Sequence, residues 1–166
     1  MARAPSSRGR TSAGIVLYRQ RSTGFEVLLG HMGGPFWTRK DAGAWTIPKG
    51  EHGPDENPFS VACREFSEEI GSEVPDGPVI DLGEARQAGG KRVRAWAVEG
   101  DLDVATLVSN TFEMEWPPRS GRRQAFPELD RAEWFDLDTA RTKVVTGQVD
   151  LLDRLDRLVA ELPPTV

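Results

Sequence analysis

Apolar and polar positions along the chain change period several times, and each change marks an element. Two short runs, Thr11 to Arg19 and Phe25 to His31, are rich in β-branched and apolar residues and flank Ser22-Thr23-Gly24, which predicts two strands joined in a hairpin. A glycine- and aromatic-rich loop follows, Met32 to Ala44, then a short strand at Trp45 to Pro48 and a loop from Lys49 to Glu56. From Asn57 the period becomes helical. Phe59, Ala62, Cys63, Phe66 and Ile70 share one face, at about 100° per residue. Asn57 suits the N-cap and Pro58 the first helical position, and Gly71 suits the left-handed residue after the last turn.

Val79 to Ala88 and Lys91 to Glu99 read as two more strands about Gly89-Gly90, a hairpin turn signal. The stretch Asp101 to Leu129 has no dominant period; a strand at Phe112 to Trp116 followed by a Pro-Pro-Arg-Ser-Gly-Arg-Arg loop is expected there. Ala132 to Leu137 reads as a strand, Asp138 as the cap of a short helix, and Gln148 to Leu162 as a final helix with Val149, Leu152, Leu155, Leu158, Val159 and Leu162 as its apolar stripe. Strands alternating with helices predict an α/β/α layering around a mixed sheet. Trp96, Trp134 and Phe135 lie in strand-like patterns and are expected in the core, whereas Trp45 could serve either core or site.

Composition narrows the chemistry. The chain has 166 residues, enough for one domain with a real core, and the expected organisation is a mobile tail over residues 1–10 and a single domain over 11–166. The three arginines of that tail could also form a phosphate-contacting arm. No apolar run approaches the roughly 20 residues of a membrane span, and no signal peptide is evident, so a cytoplasmic protein without membrane attachment is expected. The net charge of −5 argues against a general nucleic-acid binder. Cys63 stands alone and only His31 and His52 are present; this disfavours disulfides and zinc and leaves a hard metal held by oxygen. Cys63, on the apolar face of the helix, is expected to be inert packing.

The candidate chemistry lies on the other face of that helix. Glu65, Glu68 and Glu69 stand at i, i+3 and i+4, where like charges repel and where the helix dipole offers no compensation. A solvated acidic face is the ordinary explanation of such a cluster; a divalent cation is the alternative. The wider spacing favours the cation. Gly50, five residues, Glu56, seven residues, then Arg64-Glu65-Phe66-Ser67-Glu68-Glu69-Ile70-Gly71 resembles the Nudix box, G-x5-E-x7-R-E-U-x-E-E-x-G-U, with every fixed residue present. Phe66 is aromatic where an aliphatic is usual, and Ser72 fills the last apolar position. The lead-in Trp45-Thr46-Ile47-Pro48-Lys49-Gly50 is similar to the W-x-x-P-K-G of Nudix branches that cleave dinucleoside polyphosphates or diphosphoinositol phosphates; branches acting on oxidised nucleoside triphosphates more often have Pro-Gly-Gly.

The resemblance implies a Nudix-type α/β/α sandwich and a Mg2+-dependent pyrophosphohydrolase, with Mn2+ a possible substitute. Its substrate would be a nucleoside diphosphate linked to another group. Dinucleoside polyphosphates such as diadenosine tetraphosphate come first and nucleoside triphosphates, oxidised or ordinary, second; ADP-ribose is disfavoured. A nucleotide-sensing domain without turnover, or an interaction domain with a fortuitous acidic helix, are the readings from other classes. By the same resemblance Glu65 and Glu69 would be the principal metal ligands and catalytic groups, Glu68 a further or water-mediated ligand, and the Gly50 carbonyl another. Glu56 would pair with Arg64 as structural support. An acid outside the box often completes such sites. Glu113, Glu115 and Glu84 are the candidates, with Glu115 preferred because a strand would put it on one face with Glu113. Lys49, Lys91 and Arg92, and the Arg119, Arg122 and Arg123 loop, are candidates for phosphate contacts, and Phe36 and Trp37 for stacking on a base. The partner expected is a small nucleotide, with the protein a monomer or homodimer.

Overall fold

The structure is a computed structural model and describes residues 10–162; the expected tail over residues 1–10, apart from Arg10, and the last four residues lie outside them. A mixed sheet of seven strands carries helices on both faces, as the layering predicted. β1 (Thr11–Arg21) lies at its centre, parallel to β6 (Arg92–Glu99) on one edge and antiparallel to β2 (Gly24–Met32) on the other. β5 (Val79–Arg86) pairs with β6, and β9 (Leu129–Asp136) with β2. Because β1 is covered on both faces, Ile15, Val16, Leu17 and Tyr18 are all fully buried, and the strand is a continuous apolar run rather than an alternating one. Ile15 and Leu17 pack with Phe66 and Ile70 of helix α1 (Pro58–Ile70). Val16 and Tyr18 belong to the opposite core, with Leu151, Leu152 and Leu155 of α3 (Val149–Ala160) and Ala140 of α2 (Leu137–Lys143).

One irregularity of the sheet positions the site. β1 and β2 pair only near their hairpin, from Tyr18↔Val27 to Arg21↔Gly24, and then splay apart. The chain from Trp45 to Glu51 fills the fork: β3 (Trp45–Thr46) pairs with β2, and β4 (Lys49–Glu51) pairs with β1. Pro48 sits between them; having no N–H it cannot extend a ladder, and its carbonyl instead accepts from the Ile15 amide at 3.1 Å. The expected loop at residues 49–56 therefore starts as a strand, because the free edge of β1 supplies partners no local pattern announces.

α1 begins and ends as its sequence predicts. Asn57 Oδ1 accepts from the Ser60 amide at 3.0 Å, Pro58 is the first helical residue, and Gly71 closes the helix at φ 83°. Other boundaries differ. Asp136, not Asp138, caps α2, accepting from the Thr139 amide at 2.9 Å; β9 begins at Leu129 rather than Ala132, and α3 runs Val149–Ala160. The unassigned region contains a second, two-stranded sheet, β7 (Thr111–Glu115) with β8 (Arg123–Pro127), the latter starting where the expected loop ends. Trp45, Trp96 and Phe135 are buried; Trp134 is half-buried beneath the Arg19 guanidinium, 4.1 Å from the ring centroid.

Candidate active site

α1 and β4 meet along one line. The Lys49 amide of β4 donates to Glu69 Oε2 at 3.2 Å, and the next residue, Gly50, lies so close to α1 that a Cβ there would sit 2.0 Å from the Glu65 carboxyl carbon. A side chain there could be accommodated only by turning the Glu65 carboxylate away, so the glycine is what lets that carboxylate lie against the strand.

A strap from the irregular region completes the wall. The Val108 amide donates to the Ile70 carbonyl at 3.0 Å and the Asn110 amide to the Glu68 carbonyl at 2.9 Å, satisfying two of the orphan carbonyls of the last helical turn. The Asn110 carbonyl then accepts from the Glu128 amide at 2.8 Å. Across these bonds Glu128, 60 residues beyond Glu68 in the chain, is brought to the same cleft. Its volume is about 520 Å3, and Lys49, Gly50, Glu65, Glu68, Glu69 and Glu128 are among the residues lining it.

The electrostatics are those of crowded, poorly hydrated anions. Burial pushes the Glu69 carboxyl up to about 8; the Lys49 amide and ammonium oppose this without cancelling it. Glu65 is raised, first by burial and then by the negative charge of Glu68, and Glu128 is raised by partial desolvation while its residue stays open to solvent. Glu56 goes the other way: the Gly53 amide, at 2.9 Å, and secondarily Arg64 hold it below the usual carboxylate range. Arg64 reaches Glu56 at 3.4 Å and lies within 3.9 Å of both Glu65 and Glu68, so this pair joins the loop to the helix from outside the cleft. Cys63 is half-buried and its thiol is raised by desolvation.

Among the described residues no three His, Cys, Asp or Glu side chains converge into a complete ligand cage. The donor set nevertheless fits magnesium, which takes one or two carboxylates and fills its shell with water and substrate oxygens. A carboxylate as deeply desolvated as Glu69, pressed toward others of its own sign, is stabilised in its charged form by a cation, and the Gly50 cradle presents Glu65 beside it.

The remaining candidates divide. Glu115 is not at the cleft. β7 carries it four residues from Thr111, about 13 Å at strand rise, and its carboxylate accepts from the Gly121 amide at 2.9 Å in the hairpin turn. Glu113 faces Arg123 at 3.6 Å and Glu84 faces Arg92 at 3.9 Å, both on exposed surface. Nothing local in the sequence distinguishes Glu128; only the strap places it. Lys49 lines a second cleft as well, of about 680 Å3, together with Trp37, Arg86, Gln87 and Lys91. Phe36 instead stands 57 % exposed, edge-on to Trp116 with ring centroids 5.6 Å apart. Arg119, Arg122 and Arg123 surround the exposed tip of the β7–β8 hairpin, away from both clefts' linings.

No helix among the described residues is long and apolar enough to cross a membrane. A search of curated proteins finds no match. Among solved structures, the chain is similar to an Ap4A hydrolase of C. elegans in a binary complex (TM-score 0.62, 21% identity, covering 91% of this chain and 99% of that one). It is also similar to the MutT protein of Methanosarcina mazei Go1 (0.61, 21%, 95% and 100%). A third likeness is the NUDIX domain of Shewanella oneidensis NrtR, complexed with ADP ribose (0.60, 14%, 91% and 88%). At these identities the likeness is one of fold. The family model of the NUDIX domain matches residues 8–155, nearly the whole chain, and the chain belongs to the Nudix family.

Proposed function

We propose that this protein is a Mg2+-dependent pyrophosphohydrolase that cleaves the diphosphate linkage of a nucleoside diphosphate joined to a second group, with dinucleoside polyphosphates as the first choice of substrate. The observation that carries this reading is the meeting of two clefts at Lys49: one lined by Glu65, Glu68, Glu69 and Glu128, the other by Trp37, Arg86, Gln87 and Lys91. A nucleotide is built the same way, with an anionic phosphate chain at one end and a flat, polar-edged ring at the other.

In this reading Glu65, Glu69 and the Gly50 carbonyl hold the metal, with Glu68 a direct or water-mediated ligand. Magnesium, or manganese in its place, would supply there the positive charge that eases attack on a phosphate chain. Glu128, whose carboxyl is made more basic than usual by partial desolvation, takes the proton as water adds to phosphorus and the bridging P–O bond breaks. Lys49 sets its charge against the phosphate chain between the clefts. Trp37 stacks on the base, and Lys91 and Arg86 meet the outer phosphates. Glu56 and Arg64 brace the loop. The family membership and the likeness to an Ap4A hydrolase support this assignment, as does the Pro48-Lys49-Gly50 lead-in.

The test is product chromatography after incubation of the pure protein with Mg2+ and a panel of dinucleoside polyphosphates, nucleoside triphosphates and ADP-ribose, repeated in 18O-labelled water to locate the attacked phosphorus. Cleavage of a diphosphate bond, abolished by Glu69→Gln, is expected. Binding without cleavage of any member, unaltered by Glu69→Gln, overturns the reading in favour of a nucleotide sensor.

A further inference from the structure

At the floor of the second cleft lies a hydrogen-bond chain whose direction is settled by one backbone group. The Ile47 amide, which can only donate, bonds a side-chain atom of Gln148 at 3.0 Å. That atom must therefore be Oε1, and the other end of the Gln148 amide must be its NH2 group. Nε2 donates to Thr46 Oγ1 at 2.9 Å and to Gln87 at 3.2 Å, so the Gln87 atom it meets is an acceptor, Oε1. Gln148 is fully buried with all these partners made, and cannot turn over without setting its NH2 against the Ile47 N–H. The Gln87 amide is held in one sense in turn; Gln87 lines the cleft, and among the described residues its NH2 makes no hydrogen bond to the protein.

The approach of the two chains is built in. Gly147, next to Gln148, lies so near β5 that a Cβ would meet the Gln87 Cα at 2.6 Å and the Arg86 carbonyl at 2.7 Å. Any larger residue would push the loop, and Gln148 with it, off Gln87.

We propose that Gln87 reads the edge of the ring bound in this cleft, and that Gln148 is the positioning residue that makes it a donor. This rests on the reading that the second cleft receives the base of the substrate. A base with a keto oxygen there accepts from the Gln87 NH2; a base with an amino group at that same position sets donor against donor and leaves both unpaired, a mismatch on which hydrogen-bonding sites discriminate strongly. Among dinucleoside polyphosphates, the preferred members carry guanine, hypoxanthine or uracil rather than adenine or cytosine.

The experiment compares kcat/KM of the full chain with Mg2+ on paired substrates, hypoxanthine against adenine and uracil against cytosine. A ratio of roughly tenfold or more for the keto member is expected. Gln87→Glu keeps an acceptor toward Gln148 but turns a second acceptor into the cleft, and inverts the ratio; Gln87→Met brings it near one. Gln148→Met, checked for folding by its melting curve, lowers the ratio with Gln87 intact, which a merely structural role would not do. Equal rates on both members, or a ratio indifferent to the Gln87 variants, overturn the proposal. If no substrate is hydrolysed, the proposed activity fails, and Kd values of inosine and adenosine 5′-diphosphate then decide this inference: preference for inosine supports it and equal affinity overturns it.

Discussion

The carboxylate cleft draws most of its lining from one stretch, Lys49 to Glu69, whereas the second cleft is gathered from Met32, Trp37, Thr46, the end of β5, Lys91 and the Val145–Gly147 turn. In the first, a helix and the strand just before it set the spacing of Glu65, Glu68 and Glu69, and local geometry does nearly all the placing. In the second, no two of the principal side chains owe their proximity to local geometry, apart from neighbours such as Arg86 and Gln87. A reaction held on a contiguous segment keeps its chemistry while the rest of the chain diverges. A binding surface assembled from distant loops changes whenever any one of them does. The chemistry is thus written in one segment of the chain and the binding surface in several.

The comparison breaks most readily at Glu69. Glu69→Gln should lower kcat about 10³-fold at saturating Mg2+, read by steady-state kinetics, while the melting temperature holds or rises because a desolvated carboxylate has gone. Next is Gly50→Ala, whose Cβ must displace the Glu65 carboxylate; a shift of about 1 Å costs roughly 10²-fold, and far less loss would mean that the cradle does not position Glu65. Glu128→Gln should cost on the order of 10- to 100-fold as a supporting ligand or base, against less than about twofold for Glu115→Gln; the reverse ranking would put the hairpin, not the strap, at the site. On the other side of Lys49, Trp37→Ala should raise KM about tenfold with kcat little changed, the signature of binding rather than chemistry.

The smallest effect expected is on pH dependence, and its sign follows from Glu69. Its folded pKa of about 8 lies above the ordinary value of 4.5, so ionisation opposes folding. The contribution is intact below about pH 4.5 and is lost as pH rises toward 8. Metal-free protein should therefore melt a few degrees lower at pH 8 than at pH 5, with the stabilisation by Mg2+ larger at pH 8, where about half of Glu69 is already ionised. A melting temperature that rises over this interval, in protein and in Glu69→Gln alike, would mean that other groups dominate.

Much of the molecule is legible without coordinates, for identifiable reasons. Asn57, Pro58 and Gly71 bracket α1 because capping is a property of one turn of chain. The apolar runs of β1, β2 and β6 announce a sheet covered on both faces. The acidic spacing announces the face proposed to bind metal, and the box names the family. What the sequence could not carry depends on pairing between segments far apart. β4 becomes a strand only because β1 and β2 splay and leave an edge. Glu128 joins the cleft only because the strap bonds the last turn of α1; Glu115 and Glu113 lie in the same region and look no different in sequence. The sense of the Gln87 amide is set by a backbone N–H forty residues away, through a glutamine sixty-one residues beyond it. Helical periodicity is a local property and can be read in one dimension. Hydrogen bonds between distant segments have no local signature, and only the folded chain decides them.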